Sequence, residues 1–197
     1  MVFIVHMFYI YAIFIEVPIS LNDMTLREED NNQIKDDIQT KLDTLGLKIP
    51  EPLKVPPNVK TPSTWVRVRG DKAYISGHGS QNPDGSIAGP FGKVGAGKVS
   101  VEQAYESAKL AGLSILGSLK RELGTLDKVT AWLQVRVMVN AVDGFTQTTD
   151  VANGFSDLIL SLYGSEIGIH ARSAIGVQAL PLGLPVIIDG LVEIEIV

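Results

Sequence analysis

Apolar residues recur at helical spacing in three stretches of the chain. Residues 28–45 carry four of them at intervals of three and four, and residues 101–123 carry a longer stripe of the same period. A third stripe predicts a helix from about residue 145 to 163. Ser100 is placed to cap the second helix, and each of the three is followed by a glycine, a common residue at helix ends.

Five other segments show the alternation of apolar and polar residues that is typical of strands. They are residues 64–70, 72–77, 129–141, 172–180 and 186–197. After the first helix, the order of the elements is therefore ββαβαββ. This order predicts an α+β domain in which a single sheet carries two helices on one face.

One face of the predicted sheet is too apolar for simple exposure to water. In the strand at 129–141 the odd-numbered residues are apolar, which assigns them to the helix side and places Trp132 on the opposite face. The apolar residues assigned to that opposite face are Trp65, Trp132, Met138, Ile187 and Leu191. A monomer would expose them as a large patch, so we expect a closed oligomer.

The predicted domain occupies residues 63–197, and two unlike segments precede it. Residues 24–62 contain the first helix and a linker with five prolines, which should be extended and stiff because proline fixes φ and removes a donor. Residues 1–23 form an apolar leader that contains no lysine or arginine. We exclude this leader from the prediction of the fold.

The leader has three interpretations. It is a signal anchor, a soluble extension that binds elsewhere, or the product of an upstream start codon with translation beginning at Met24. Spanning a bilayer takes about 20 apolar residues, whereas Glu16 and Pro18 interrupt this stretch early. We favour the start at Met24, which predicts a cytoplasmic protein that meets a membrane only if the leader is an anchor.

Charge and composition exclude several classes of function. The formal net charge is -5, which argues against nucleic acid as the main partner because phosphate binding needs a basic surface. The chain has no cysteine, so disulfides, thiolate nucleophiles and cysteine-bound zinc are absent. Its three histidines, His6, His78 and His170, are too scattered to predict a metal cluster.

Two motifs favour ordinary structural interpretations. Residues 92–99, GKVGAGKV, are close to a phosphate-binding loop, but Val99 replaces the hydroxyl that would hold magnesium, and a flexible loop before a helix is favoured. His78 follows a strand end, where a histidine is typically solvent-facing or a turn partner. His170 is expected to be structural.

Arg172 is the more informative position. It opens a strand that otherwise contains small and apolar residues, SAIGVQALP. A guanidinium there either pairs with an internal acid or is available as a planar fork for a carboxylate or phosphate. Spacing alone leaves both alternatives open.

The residues around Arg172 resemble a known family. The stretch HARSAIGVQALPLGLPV, residues 170–186, is similar to the C-terminal signature of the RidA/YjgF family, the reactive intermediate (enamine/imine) deaminases, also called L-PSP endoribonuclease-like. The similarity continues in YISGHGS, LGTLDKV and VANGFSDLI, and covers about residues 32–197. The helix before the proline-rich linker resembles a subgroup that carries such an extension.

The resemblance implies a homotrimer with a chorismate-mutase-like fold and ligand clefts between subunits, with neither metal nor cofactor. The substrates are 2-aminoacrylate-type enamines and imines, which are hydrolysed to 2-keto acids and ammonia. Arg172 corresponds to the catalytic arginine that binds the substrate carboxylate, and Ser76 and Gly77 correspond to the strand end that lines the cleft. Trp65 falls near the cleft aromatic, and Asn153 is the counterpart of a helix asparagine.

The chain departs from the family pattern at two positions. Ala174 stands where many members have cysteine, and Ile187 stands where the family has a glutamate that orients water or protonates the substrate. Asp189 shares the face of Ile187 but lies roughly 7 Å along the strand, beyond hydrogen-bond reach. Two hypotheses therefore remain: an imine-hydrolysing enzyme, and a non-catalytic trimer that binds a small carboxylate metabolite such as a keto acid. The negative charge argues against the ribonuclease activity attached to the family name.

Overall fold

The computed structural model describes residues 37–55 and 62–196. Five strands in these ranges form one sheet in the order β1-β2-β5-β3-β4. The strands are β1 (Val66–Arg69), β2 (Lys72–His78), β3 (Val129–Asn140), β4 (Ala171–Val177) and β5 (Val186–Ile194). The edge strand β4 runs parallel to β3, and the other neighbours are antiparallel.

Three α-helices lie within the described residues: α1 (Asp37–Thr44), α2 (Val101–Leu123) and α3 (Thr148–Gly168). From β1 onward the order is ββαβαββ, so the predicted α+β architecture is confirmed. Helices α2 and α3 pack side by side, α2 over β2 and β5 and α3 over β3 and β4. Residues 28–36 of the first predicted helix lie outside the described residues.

The ends of α2 and α3 follow from particular residues. Ser100 and Gln103 form a reciprocal capping box at the start of α2. As predicted, Gly164 stops the helical backbone that precedes it, with a φ of 70°, a conformation that favours glycine. A short further helical stretch then continues α3 to Gly168.

Helices α2 and α3 approach closely because small residues lie at their crossing. A methyl group added at Gly154 would collide with the main-chain carbonyl of Tyr105, and one at Gly112 would lie 2.8 Å from Leu158. Large side chains beside these glycines, including Phe155 and Ile159, are fully buried. The crossing therefore contributes dispersion contacts that larger residues would exclude.

The assignment of Trp132 to the outer face of the sheet is wrong. Trp132 is 2% exposed and packs edge-on against Phe155 and Tyr163, with ring centroids 5.4 and 6.0 Å apart. The register between β3 and β5 shifts on both sides of Trp132, which pairs with Val192. An extra residue in one strand reverses the alternation beyond it, so a side chain predicted to face outward turns into the core.

Residues 47–55 follow α1 as an extended segment that lies against the domain. Main-chain N–H groups of Glu51 and Lys54 donate to the carbonyls of Pro83 and Gly85, at 3.0 and 2.9 Å. The extended conformation agrees with the stiff linker that its prolines predict, although residues 56–61 lie outside the described residues. This segment forms one wall of the cavity described below.

Within residues 37–55 and 62–196, no helix combines the length and apolarity needed to cross a membrane. The apolar leader at residues 1–23 lies outside the described part of the chain.

Candidate functional site

Arg172 and Asn153, both predicted as site residues, are in direct contact. Arg172 lies near the start of the edge strand β4, half-buried against α3. Its Nη1 donates to Asn153 Oδ1 at 3.0 Å and to Ser156 Oγ at 2.8 Å. Asn153 and Ser156 are three residues apart on α3, a spacing that puts both side chains on one helix face.

The charge of Arg172 is not neutralised by the described part of the chain. Its side-chain partners there are an amide oxygen and a hydroxyl, and it forms no ion pair within residues 37–55 and 62–196. Both bonds use Nη1, so within those residues Nε and Nη2 have no intramolecular partner. Of the two alternatives that the sequence leaves open, the structure supports the available guanidinium fork.

Ser156 and His170 continue the hydrogen bonding from Arg172. A guanidinium only donates, so Ser156 Oγ accepts from Arg172 and directs its own proton to His170 Nε2 at 3.0 Å. His170 Nδ1 then donates to the carbonyl of Gly168 at 2.7 Å, which defines the neutral tautomer. Burial, together with the charge of Arg172, lowers the pKa of His170. We call Arg172, Ser156 and His170 the edge cluster.

Three other predicted residues surround a separate cavity of about 340 Å³. Its wall includes Trp65, Gly77 and Ile187, together with residues of segment 47–55. Ile187 is the position where the family has a glutamate. A Cβ atom at Gly77 would lie 2.9 Å from Ile187 Cγ2, so only glycine fits there without a shift. The ring of Trp65 lies 5.2 Å from that of His78.

Ser76 does not line this cavity. Its hydroxyl donates to the carbonyl of Thr64 at 2.7 Å, and its main-chain N–H donates to the carbonyl of Trp65 at 2.9 Å. The pairing of β2 with β5 shifts register between Ile75 and His78. Ser76 therefore helps to fix the bulge that presents Gly77 to the cavity, because its hydroxyl and N–H both bond to the preceding segment.

Of the two interpretations that the sequence supports for His78, solvent-facing or turn partner, the first is wrong. The side chain is 4% exposed, because it points under α2. His78 Nδ1 donates to the carbonyl of Ser76 at 2.6 Å, Ser118 Oγ donates to His78 Nε2 at 2.8 Å, and Arg121 Nη2 donates to Ser118 Oγ at 3.3 Å. Burial, aided by the charge of Arg121, lowers the pKa of His78 from 6.5 to about 4. We call Arg121, Ser118 and His78 the buried cluster, after its two buried members His78 and Ser118; Arg121 itself is exposed.

Within one chain, the predicted site residues therefore form two separate groups. Arg172 does not line the cavity: β3 and β5 lie between its strand and β2, and three strand spacings amount to about 14 Å.

Asp189 cannot replace the missing glutamate, because its carboxylate accepts from Arg136 Nη2 at 2.6 Å and Nε at 3.1 Å. Among the described residues, no group of three His, Asp or Glu side chains could hold a metal ion.

Three residues of the two clusters were not among the predicted site residues: Ser156, Ser118 and Arg121. The sequence did contain an indication of Ser156, because this residue follows Asn153 by three positions on the same predicted helix. Arg121 and Ser118 share that spacing on α2, but nothing along the chain indicates that β2 and segment 47–55 close a cavity beside them.

Comparisons with known proteins place this fold in a family. Protein TCP17 of Trypanosoma cruzi is 35% identical over 159 residues, 80% of this chain and 94% of that protein. A crystal structure of Atu1372 from Agrobacterium tumefaciens, a protein of unknown function, is 30% identical with a TM-score of 0.73, and the match covers 86% of this chain and 99% of that one. The chain belongs to the RidA/YjgF family.

The structure of another protein shares the fold of this RidA/YjgF chain. A putative endoribonuclease from Shewanella oneidensis MR-1 has a TM-score of 0.70 at 23% identity, over 80% of this chain and 99% of that one. No family model matches the sequence.

Proposed function

We propose that this RidA/YjgF protein is an enamine/imine deaminase that hydrolyses 2-aminoacrylate-type imino acids to 2-keto acids and ammonia. The observation that carries the proposal is the state of Arg172. Its Nη1 is held by two neutral groups of α3, while Nε and Nη2 have no partner among the described residues. A planar edge with two donors matches the two oxygens of a carboxylate.

Asn153 and Ser156 prepare Arg172 for this role. Two hydrogen bonds at 3.0 and 2.8 Å restrict the rotation of the guanidinium before a ligand arrives. An arginine that is already ordered loses less conformational freedom on binding than a flexible one. The imino acid would therefore meet a positioned anchor.

The proposed active site lies between subunits of a homotrimer. Within one chain, Arg172 lies about 14 Å from the cavity at Gly77. A second subunit is therefore needed to bring Arg172 and the cavity to the same substrate. Large apolar side chains on the helix-free face support such packing: Tyr74 is 51% exposed and Ile175 is 44% exposed. Light scattering after size exclusion should give about three subunits, and a clean monomer at micromolar concentration would contradict this arrangement.

The proposed reaction adds one water across the C=N bond. The water oxygen bonds to the imine carbon and one of its protons goes to the nitrogen, giving a carbinolamine. The hydroxyl proton then passes to the nitrogen, the C–N bond breaks to release ammonia, and the C=O bond forms. Imines hydrolyse spontaneously, so positioning the carboxylate on Arg172 and excluding bulk water can accelerate the step without the family glutamate.

The test couples the protein to a pyridoxal-dependent dehydratase that releases 2-iminobutyrate, with semicarbazide present to trap the imine. Wild-type protein should increase keto acid release and lower semicarbazone formation, and Arg172→Ala should abolish both effects. Arg69→Ala is the matched control, because Arg69 is an exposed strand arginine near the opposite edge of the sheet. Equal activity of wild type and Arg172→Ala would refute the proposal.

A second candidate function is favoured by the environment of residue 187. Ile187 lies in the cavity wall beside Gly77, and the nearby Asp189 is paired with Arg136. A site with a carboxylate anchor but without an acid or base suits a trimer that binds a keto acid for sensing or sequestration. Unchanged imine hydrolysis, with 2-ketobutyrate bound by wild type and lost in Arg172→Ala, would favour this alternative.

A further inference from the structure

The cavity near Gly77 has predominantly apolar walls within a single chain. Leu53 of segment 47–55, Trp65, Leu184 and Ile187 contribute to these walls. Its volume of about 340 Å³ is within the range of small-molecule sites, roughly 300–1,000 Å³. A hydrocarbon body of modest size is therefore the part of a ligand that these walls suit.

Arg121 adds a cation to this apolar cavity. It is the one charged side chain among the described lining residues, and it forms no ion pair within residues 37–55 and 62–196. Its Nη1 donates to the carbonyl of Pro50 at 3.2 Å and its Nη2 to Ser118 Oγ at 3.3 Å. A guanidinium has five donors, so three remain available for an incoming anion.

Three other polar side chains of the wall already have hydrogen-bond partners. His78 uses both ring nitrogens, on Ser76 and Ser118. Ser80 Oγ donates to the carbonyl of Ala88 at 2.7 Å, and Gln81 Nε2 donates to that of Gly85 at 3.4 Å. Among the described lining residues, Arg121 is therefore the group whose charge would recognise an anionic ligand group, and the N–H of Trp65 is a neutral donor in the same wall.

We propose that this cavity binds a monocarboxylate with an apolar hydrocarbon body, whose carboxylate pairs with Arg121. A single cation matches a single negative charge, and the apolar walls exclude water from the body of the ligand. The site shares Trp65, Gly77 and Ile187 with the proposed cleft for imino acids. It differs in its anchor, because it uses Arg121 and needs neither Arg172 nor a second subunit.

The test is isothermal titration calorimetry of the full chain with octanoate. Octanoate should bind saturably, whereas octanol, which lacks the charge, and butyrate, which lacks most of the body, should each bind at least about tenfold more weakly. Arg121→Gln should weaken octanoate binding by about tenfold or more, as expected for the loss of charge-assisted hydrogen bonds. Arg121→Lys should lie between the two, and Arg69→Gln, which changes an exposed arginine outside the cavity, should bind like wild type.

Trp65 supplies an independent optical measurement because its ring contributes to the cavity wall. Octanoate should change tryptophan fluorescence, with a titration midpoint equal to the one found by calorimetry. The Trp65→Phe variant should lose most of this fluorescence change but still release or absorb measurable heat on binding octanoate. Thermal melting would establish that each variant is folded. If Arg121→Gln does not fold, Arg121→Lys and the comparison of octanoate with octanol decide the question.

Four results would overturn the proposal. They are the absence of saturable octanoate binding at millimolar concentration, equal affinity for octanoate and octanol, wild-type affinity in both Arg121 variants, and loss of binding in Arg172→Gln. The last result would assign octanoate to the Arg172 cleft instead. None of the four tests imine hydrolysis, so the deaminase proposal stands or fails separately.

Discussion

The edge cluster and the buried cluster contain the same three residue types, joined in the same order. In each, an arginine donates to a serine, the serine donates to Nε2 of a histidine, and Nδ1 of that histidine donates to the carbonyl two residues earlier. The two series are Arg172, Ser156, His170 and Gly168, and Arg121, Ser118, His78 and Ser76. Their surroundings differ, because His170 is half-buried at the sheet edge and His78 is 4% exposed.

The remaining partner of each arginine shows what the difference means. Arg121 also donates to the main-chain carbonyl of Pro50, so the buried cluster links β2, α2 and segment 47–55. Arg172 also donates to the side chain of Asn153, so the edge cluster orients a cation. The same hydrogen bonds therefore join three parts of the fold in one place and restrain a guanidinium at the sheet edge in the other.

The largest expected difference concerns stability. His78→Leu should lower the free energy of unfolding by about 3 kcal/mol, because Ser118 and the carbonyl of Ser76 lose buried partners. His170→Leu should cost about 1 kcal/mol, since solvent reaches its partners. Urea unfolding at one fixed protein concentration measures both, and equal losses would contradict the distinction between the two clusters.

The next largest effect is on the pH dependence of stability. Burial holds the pKa of His78 at about 4 in the folded state, below its ordinary value of 6.5, so between these values the unfolded chain binds more protons. The contribution of His78 is therefore present above pH 6.5 and declines as the pH falls toward 4. We expect it to lower the free energy of unfolding by about 2 kcal/mol between pH 7 and about pH 4.5.

His78→Gln isolates this contribution, because its neutral amide does not titrate in that range. The variant should lose less stability than wild type over the same interval, as followed by urea midpoints. His170→Gln should keep most of the wild-type pH dependence, since burial is less complete at that site. Parallel curves for wild type and His78→Gln would show that His78 is protonated equally in both states.

The smallest expected effect is on ligand affinity at the edge cluster. Ser156→Ala removes one of the two hydrogen bonds that orient Arg172, and should weaken 2-ketobutyrate binding about three- to fivefold, or about 1 kcal/mol. Ser161→Ala is the matched control on α3, because the hydroxyl of Ser161 bonds within its own helix. Calorimetry that finds the same affinity for both variants would remove Ser156 from the proposed site.

Much of the fold could be predicted because its signals are local. The helical stripes and strand alternation identify α2, α3 and all five strands, and the order of elements follows from them. Trp132 shows where this reasoning fails. Its burial depends on how β3 pairs with β5, and a register shift produced by a partner about 60 residues away leaves no period of its own in the sequence.

The residues of the candidate site likewise divide into those that the sequence could identify and those that it could not. Arg172 and Asn153 could be selected from the sequence, through residue type, spacing and resemblance, and the two side chains are in contact. The burial of His78 could not be predicted, because its partner Ser118 lies on α2, 40 residues away in the chain. Arg121 gave no signal, since local sequence does not distinguish an exposed helix-end arginine that borders a cavity from one that does not.

By itself, the sequence determined the elements, their order and the cation at the head of β4, since each depends on periodicity or residue identity within a few positions. The tertiary structure alone decided which arginine is linked to which serine and histidine, which histidine is buried, and how segment 47–55 closes a cavity. These outcomes depend on distance and burial between elements far apart in sequence, and a periodic pattern carries no record of either.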